Sequence, residues 1–160
     1  MSRYPIQVGS FSHKGLNNDL EVIVSLLYSP RERSWSASRP VLRPLVWLGD
    51  SKRNIQGFPK GAQKLLGDEL QLIQFGGMPK DAKPFKGVGT GVLELALRYA
   101  SDAYRVVTAV QLGSRIYVLH AFQKKSKKGI ATPKHDVDLI KKRYVEAQEL
   151  AREYERTKSN

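Results

Sequence analysis

At 160 residues the chain has the length of one ordinary domain, and a 41 % hydrophobic content supports a packed core. Cys is absent and His occurs only at His13, His120 and His135, which excludes disulfides, a thiolate metal site and a cysteine nucleophile and argues against a His-rich metal site. The 27 Lys+Arg against 15 Asp+Glu give a formal charge of +12, the balance of a protein that meets a polyanion or an acidic partner, and no apolar run approaches the ~18 residues of a membrane span.

The charge is unevenly spread. Residues 1–40 hold five basic and three acidic residues, a net +2, whereas residues 41–160 hold 22 and 12, a net +10. Leu20–Tyr28 (LEVIVSLLY) is apolar and β-branched enough for a strand, and the SPRERSWSASRP that follows reads as linker. Asp19 and Glu21 stand at the entrance of the apolar run and no small-x-small site follows it, so it does not read as a signal peptide, and a cytoplasmic protein is expected.

From Leu45 the signals sharpen. Leu45–Leu48 (LVWL) reads as a short buried strand. Asp50 or Ser51 can cap a short helix running to Phe58, and Pro59 suits the first position of a second helix. Ala62, Leu66, Leu70 and Ile73 recur at helical spacing along it, and Gly76-Gly77 with Pro79 ends it. After a loop, DAKPFKGVGTG, three strands are predicted over Gly91–Tyr99, Tyr104–Gln111 and Arg115–Phe122. The segments between them are short enough for hairpins, hence an antiparallel meander. Thr132-Pro133 opens a last helix on which Val137, Ile140, Tyr144, Ala147, Ala151 and Tyr154 form one apolar stripe. The order is β-α-α-β-β-β-α.

Gly87, Gly89 and Gly91 form G-x-G-x-G, but a dinucleotide loop precedes a helix and this one precedes a strand, so it reads as a turn. Lys83 and Lys86 flank Pro84-Phe85, a pairing of cations and aromatic that suits either a phosphate and a base or a solvated loop. Arg105 is a lone strand arginine whose neighbours by period two are Val107, Ala109 and Gln111; such a small mixed face can form a shallow groove in which a guanidinium grips a phosphate at two points. His120 lies among apolar residues, as a half-buried histidine with one satisfied nitrogen would, or a general acid or base. Lys124, Lys125, Lys127 and Lys128 follow directly on a strand end, which anchors the run as a phosphate site. No catalytic carboxylate pair, Ser-His-Asp set or metal cluster emerges, and Glu94, the one acid inside the meander, is expected to pair with a neighbouring Arg.

Trp47–Gly49 (W-x-G), Asp81–Gly87 (DAKPFKG), Gly91–Leu95 (GVLEL), Tyr104–Val107 (YRVV) and Tyr117–Pro133 (YVLHAFQKKSKKGIATP) together resemble the RelE/ParE toxin superfamily, and within it the HigB-like, phage-derived branch of type II toxin–antitoxin systems, over roughly residues 43–155. The resemblance implies an α+β fold of RelE type: a mostly antiparallel sheet, a helical hairpin on one face and a C-terminal helix. It implies a toxin domain over 43–160, with residues 1–42 a weakly ordered extension or a wrongly assigned start. It implies a metal-free, cofactor-free mRNA endonuclease that works on the ribosome and is neutralised by a cognate antitoxin, often a helix-turn-helix protein. Arg105 matches the family's strand arginine and Lys124 and Lys125 the basic end of its last strand, with His120 as an approximate match to a catalytic histidine. Lys83, Lys86, Lys127 and Lys128 would hold RNA. The Tyr that follows the last strand in RelE is missing; Tyr144 lies on the helix. A ParE-like gyrase inhibitor and a non-catalytic nucleic-acid-binding module are the alternatives.

Overall fold

The computed structural model describes residues 41–124 and 131–159. By contacts the chain divides into Met1–Arg39 and Pro40–Asn160. The expected strand Leu20–Tyr28 and the expected N-terminal extension therefore lie, but for residues 41 and 42, outside the described residues.

The second unit is an α+β fold built on one five-stranded sheet. Its elements are β1 (Leu45–Trp47), α1 (Ser51–Gln56), α2 (Lys60–Gln74), β2 (Lys83–Pro84), β3 (Val92–Tyr99), β4 (Asp102–Leu112), β5 (Arg115–Lys124) and α3 (Lys134–Lys158). The strand order is β1-β5-β4-β3-β2, with β1 parallel to β5 and every other pair antiparallel. This arrangement is consistent with a RelE-like fold. The sequence left Lys83–Pro84 in a loop; a two-residue strand carries no periodicity, and only its pairing with Leu93 and Glu94 defines it.

Alternation along the strands gives the sheet two apolar faces. Against one face the α2 stripe Ala62, Leu66, Leu70 and Ile73, with Ile55 of α1, packs on Leu95, Val106, Ile116 and Val118. Against the other, Ile140, Tyr144, Ala147 and Ala151 of α3 pack on Val92, Val107, Ala109, Tyr117 and Leu119. Val107 and Ala109, which the sequence grouped with Arg105 on a shallow open face, are thus fully buried under α3. The loop Gly87–Gly91 closes on the same helix: a Cβ at Gly89 would run into the Tyr144 ring.

Two details differ from the sequence reading for the same reason. Pro59 and Pro133 are not the first helical residues but the caps, at φ −55°, ψ 144° and φ −53°, ψ 144°. Their extended ψ keeps them outside the helix, while the Pro59 and Pro133 carbonyls accept the first helical bonds from Gln63 (2.9 Å) and Val137 (3.1 Å). The α1–α2 joint is secured by the Gln63 side chain, whose Nε2 donates to the carbonyls of Gln56 and Phe58 at 2.9 and 2.7 Å.

The β4–β5 register passes from Val107↔His120 to Thr108↔Val118, so Leu119 is an extra residue. This bulge turns both Leu119 and His120 toward α3 and is the device that brings a histidine to that face.

Leu66 is fully buried at the centre of the α2–sheet contact. Leu66→Ala is expected to lower unfolding stability by about 2–5 kcal/mol, measured by denaturant titration, because the backbone on both sides is held by regular structure and closes the cavity poorly.

Candidate functional site

Residues directly opposite one another on neighbouring strands share a face. Three successive rungs of the meander read Arg98–Ala103–Lys124, Ala96–Arg105–Phe122 and Glu94–Val107–His120, and Lys83 of β2 stands opposite Glu94. Lys83, Glu94, Arg98, Arg105, His120 and Lys124 therefore share the face that α3 packs on. α3 covers the half of it holding Val107 and Ala109, and the helix begins beside His120. The half holding Arg98, Arg105 and Lys124 borders a groove of about 890 Å³ that also meets Lys83, Ala96 and Ala103 and bends round the β3–β4 hairpin.

Inside this half, Arg105 and Glu94 form an ion pair through Nη1 and Oε1. Their side chains are 21 % and 14 % exposed, so the pair is mostly withdrawn from water, and of the two Arg105 lines the groove. The Nε of Arg105 has no partner among the described residues. That Nε is buried, so it is through its Nη groups that the guanidinium, which borders the groove, could grip an anion. Arg98, one rung away and exposed, was missed by the sequence reading; its alternation with Leu97 and Tyr99 was the available signal.

His120 is only 5 % exposed, and both of its ring nitrogens are engaged. Nδ1 lies 3.2 Å from Nη1 of Arg143, and Nε2 lies 3.1 Å from Oδ1 of Asp136. A guanidinium only donates, so Nδ1 accepts and Nε2 carries the hydrogen that Asp136 accepts. The ring also stacks on Phe122 at 5.2 Å between centroids. In this arrangement neither nitrogen is free to take a proton from a substrate.

Arg143 completes the network. It is 8 % exposed, its Nη1 also donates to the Leu119 carbonyl at 3.0 Å, and its Nη2 donates to Oδ1 of Asp50 at 2.6 Å. The hydrogen bond from Arg143 holds the Asp50 carboxyl below the usual carboxylate range. Asp50 sits at the N-cap position of α1 without a capping bond, because its carboxylate is spent on Arg143. Gly49 is the residue that admits the guanidinium: it lies at φ +52°, and a Cβ there would overlap Arg143. The one local sign of this network is a charged residue next to the apolar stripe of α3.

Lys86 does not join Arg105. It borders a separate groove of about 720 Å³ with Phe85, Gly87–Gly91 and Gln111. Lys125, Lys127 and Lys128 lie outside the described residues. Tyr144 is buried in the α3 core. Among the described residues no group of three His, Asp or Glu side chains could hold a metal ion. No described helix is long and apolar enough to cross a membrane.

The sequence profile of the family described as phage derived protein Gp49-like (DUF891) matches residues 53–145, more than half of the chain. The chain belongs to the Gp49-like family. No match was found among curated proteins or among solved structures. The Gp49-like family is a RelE-like toxin family, in keeping with the superfamily that the motifs resemble. The Gp49-like stretch runs from α1 into α3 and includes Lys83, Glu94, Arg98, Arg105, His120, Lys124, Asp136 and Arg143, while Asp50 lies just before it.

The Asp50 carboxyl fixes a pH dependence. A carboxyl whose folded value is held down contributes stability that is present above the ordinary carboxylate range and is lost as pH falls through the folded value. Unfolding free energy measured against pH is therefore expected to fall on acidification below about pH 4, and Asp50→Asn is expected to flatten that slope. Gly49→Ala, which displaces the guanidinium, is expected to lower stability at neutral pH by more than the ~1 kcal/mol of a left-handed alanine alone.

Proposed function

We propose that this Gp49-like protein is the toxin of a type II toxin–antitoxin system, of the HigB-like branch, and that it is a metal-free endonuclease cutting mRNA on the ribosome in the cytoplasm. The observation that supports this reading is the cationic half-face of the sheet, with Arg98, Arg105, Lys124 and Lys83 round a groove, and with Glu94 paired to Arg105 on the same face. RNA brings its own nucleophile, the 2′-hydroxyl, so a nucleophilic side chain is not required. The O2′ atom bonds to the adjacent phosphorus, the bond from phosphorus to O5′ breaks, and the departing O5′ takes a proton from water. The products are a 2′,3′-cyclic phosphate and a 5′-hydroxyl. Arg105 and Lys124 supply fixed positive charge to the phosphorane-like transition state. Glu94 shares a face with them and takes the 2′-hydroxyl proton; His120, with both nitrogens bonded, acts by holding α3 in position. Two cations on a phosphate and one carboxylate do not by themselves align a flexible message, which is why the ribosome is needed to present it. A cognate helix-turn-helix antitoxin would silence the enzyme.

The test is expression in a translating extract with mapping of new RNA ends. New 5′-hydroxyl ends inside coding sequence are expected from the wild type, and their absence would overturn the reading. Arg105→Ala is expected to lower cleavage on the order of 10²-fold or more, and Arg105→Lys to restore part of it, since charge returns but the planar grip does not. Because Arg105→Ala strands a half-buried carboxylate, the double variant Arg105→Met/Glu94→Gln serves as the folded control, and it too is expected to be inactive.

A further inference from the structure

Among the described residues the outer edge of β3 is open along half its length. The Val92 carbonyl accepts from the amide of Phe85 on the β2 side at 2.9 Å, and the Gly91 carbonyl accepts from Val110 on the β4 side at 2.9 Å. Even-numbered residues of β3 thus turn their backbone polar groups outward and odd-numbered ones turn them toward β4. β2 supplies partners only as far as Glu94, because the chain leaves the sheet in a turn at Ala82, whose amide donates to the Pro79 carbonyl at 3.1 Å. The amides and carbonyls of Ala96 and Arg98 are left without a strand partner among the described residues. The 890 Å³ groove runs along these same residues. An exposed edge of this kind is a template for one more strand.

We propose that this edge takes an extended segment of a protein partner, in line with β2 and antiparallel to β3, in which acidic and apolar side chains alternate. The alternation follows from the two sides of the edge. A residue opposite Ala96 or Arg98 shares the face of Lys83, Arg98, Arg105 and Lys124, where one carboxylate, Glu94, is already paired to Arg105. Acidic side chains belong there. The next residue falls on the other face, over Leu97 and Tyr99, which pack on the α2 core and are half-buried. On that side Glu69 and Asp81 line the groove, so a further acid would be repelled and an apolar side chain fits. The acids of such a strand would lie across the mouth of the cationic half-face and exclude a polyanion from it. That the segment belongs to an antitoxin rests on the toxin reading; that the edge accepts such a strand does not.

Residues opposite Ala96 and Arg98 exchange both backbone bonds with them, so the acidic positions also supply the amides that bind the edge. This gives a sharp test on the full chain with a capped octapeptide of alternating Glu and Val, read by hydrogen exchange of individual amides. Saturating peptide is expected to slow exchange at Ala96 and Arg98 by about 10-fold or more. N-methylation of the Glu residues is expected to abolish that protection, and N-methylation of the Val residues to leave it. Arg98→Glu is expected to weaken binding by about 10-fold, and added salt to weaken it further. The inference is overturned if millimolar peptide leaves both amides unprotected, if N-methylation at Glu and at Val act alike, or if a single-stranded RNA oligonucleotide slows the two amides as strongly as the peptide. Protection of the edge in a protein that yields no RNA ends would sink the nuclease reading alone; RNA ends without protection would sink the strand alone.

Discussion

A guanidinium that is 8 % exposed cannot be left without partners, and the fold is arranged round the need to answer Arg143. Its donors reach the loop after β1 through Asp50, the bulge of β5 through the Leu119 carbonyl and the His120 ring. Three parts of the chain that are far apart in sequence are thereby tied at one point. Removing either charged partner leaves the other partly desolvated, which costs more than the pair contributes when intact. The geometry therefore demands a glycine at position 49, a bulge at Leu119 and a helix start close enough for Asp136 to reach His120. Hydrophobic burial drives the layers together, but it is directionless, and this network fixes where along the sheet α3 begins.

The far end of α3 is fixed by different means. Glu155 accepts from the amide and hydroxyl of Ser114 at the β4–β5 turn, at 2.9 and 2.7 Å, and Arg115 lies 3.3 Å over the Tyr154 ring. The Ser114 bonds hold the Glu155 carboxyl below the usual range. Pinned at both ends, the 25-residue helix covers the sheet from His120 toward the β4–β5 turn and leaves the β3–β4 end open. The open half-face is a consequence of where the helix is anchored. Arg105 and Lys124 sit in it because they occupy the ends of their strands beyond the last residues that α3 can bury.

Local pattern was enough to read the elements. The α2 stripe of Ala62, Leu66, Leu70 and Ile73 and the α3 stripe through Ile140, Tyr144, Ala147 and Ala151 are periodic signals, and the meander strands differ from their predicted bounds by at most two residues at each end. What the sequence could not reveal depends on partners distant in the chain. Nothing near Val107 says that α3 will cover it. Nothing near His120 says that an arginine 23 residues away will take its Nδ1. Asp50 looks like a helix cap because the preference for Asp there is local, yet a buried guanidinium outbids the α1 amides for its carboxylate. The convergence of Arg105 and Lys124 was legible, because antiparallel hairpins fix which strand ends meet; the exclusion of Lys86 from that cluster was not, because it depends on a two-residue strand.

The Arg105–Glu94 pair gives the proposed chemistry its switch. In the free protein the carboxylate and guanidinium neutralise each other within a partly desolvated groove, so neither acts on its surroundings at full strength. A phosphodiester in the groove, with one negative charge like Glu94, would compete for the same guanidinium and would meet Lys124 as a second cation. As the guanidinium turns to the phosphate, the carboxylate loses its partner in a place where an unpaired negative charge is costly. In the proposed reaction the carboxylate released from Arg105 is the one that meets the 2′-hydroxyl. Substrate binding and activation of the base are on this view one exchange of partners, and the pair that quiets the site at rest is the one that equips it to react.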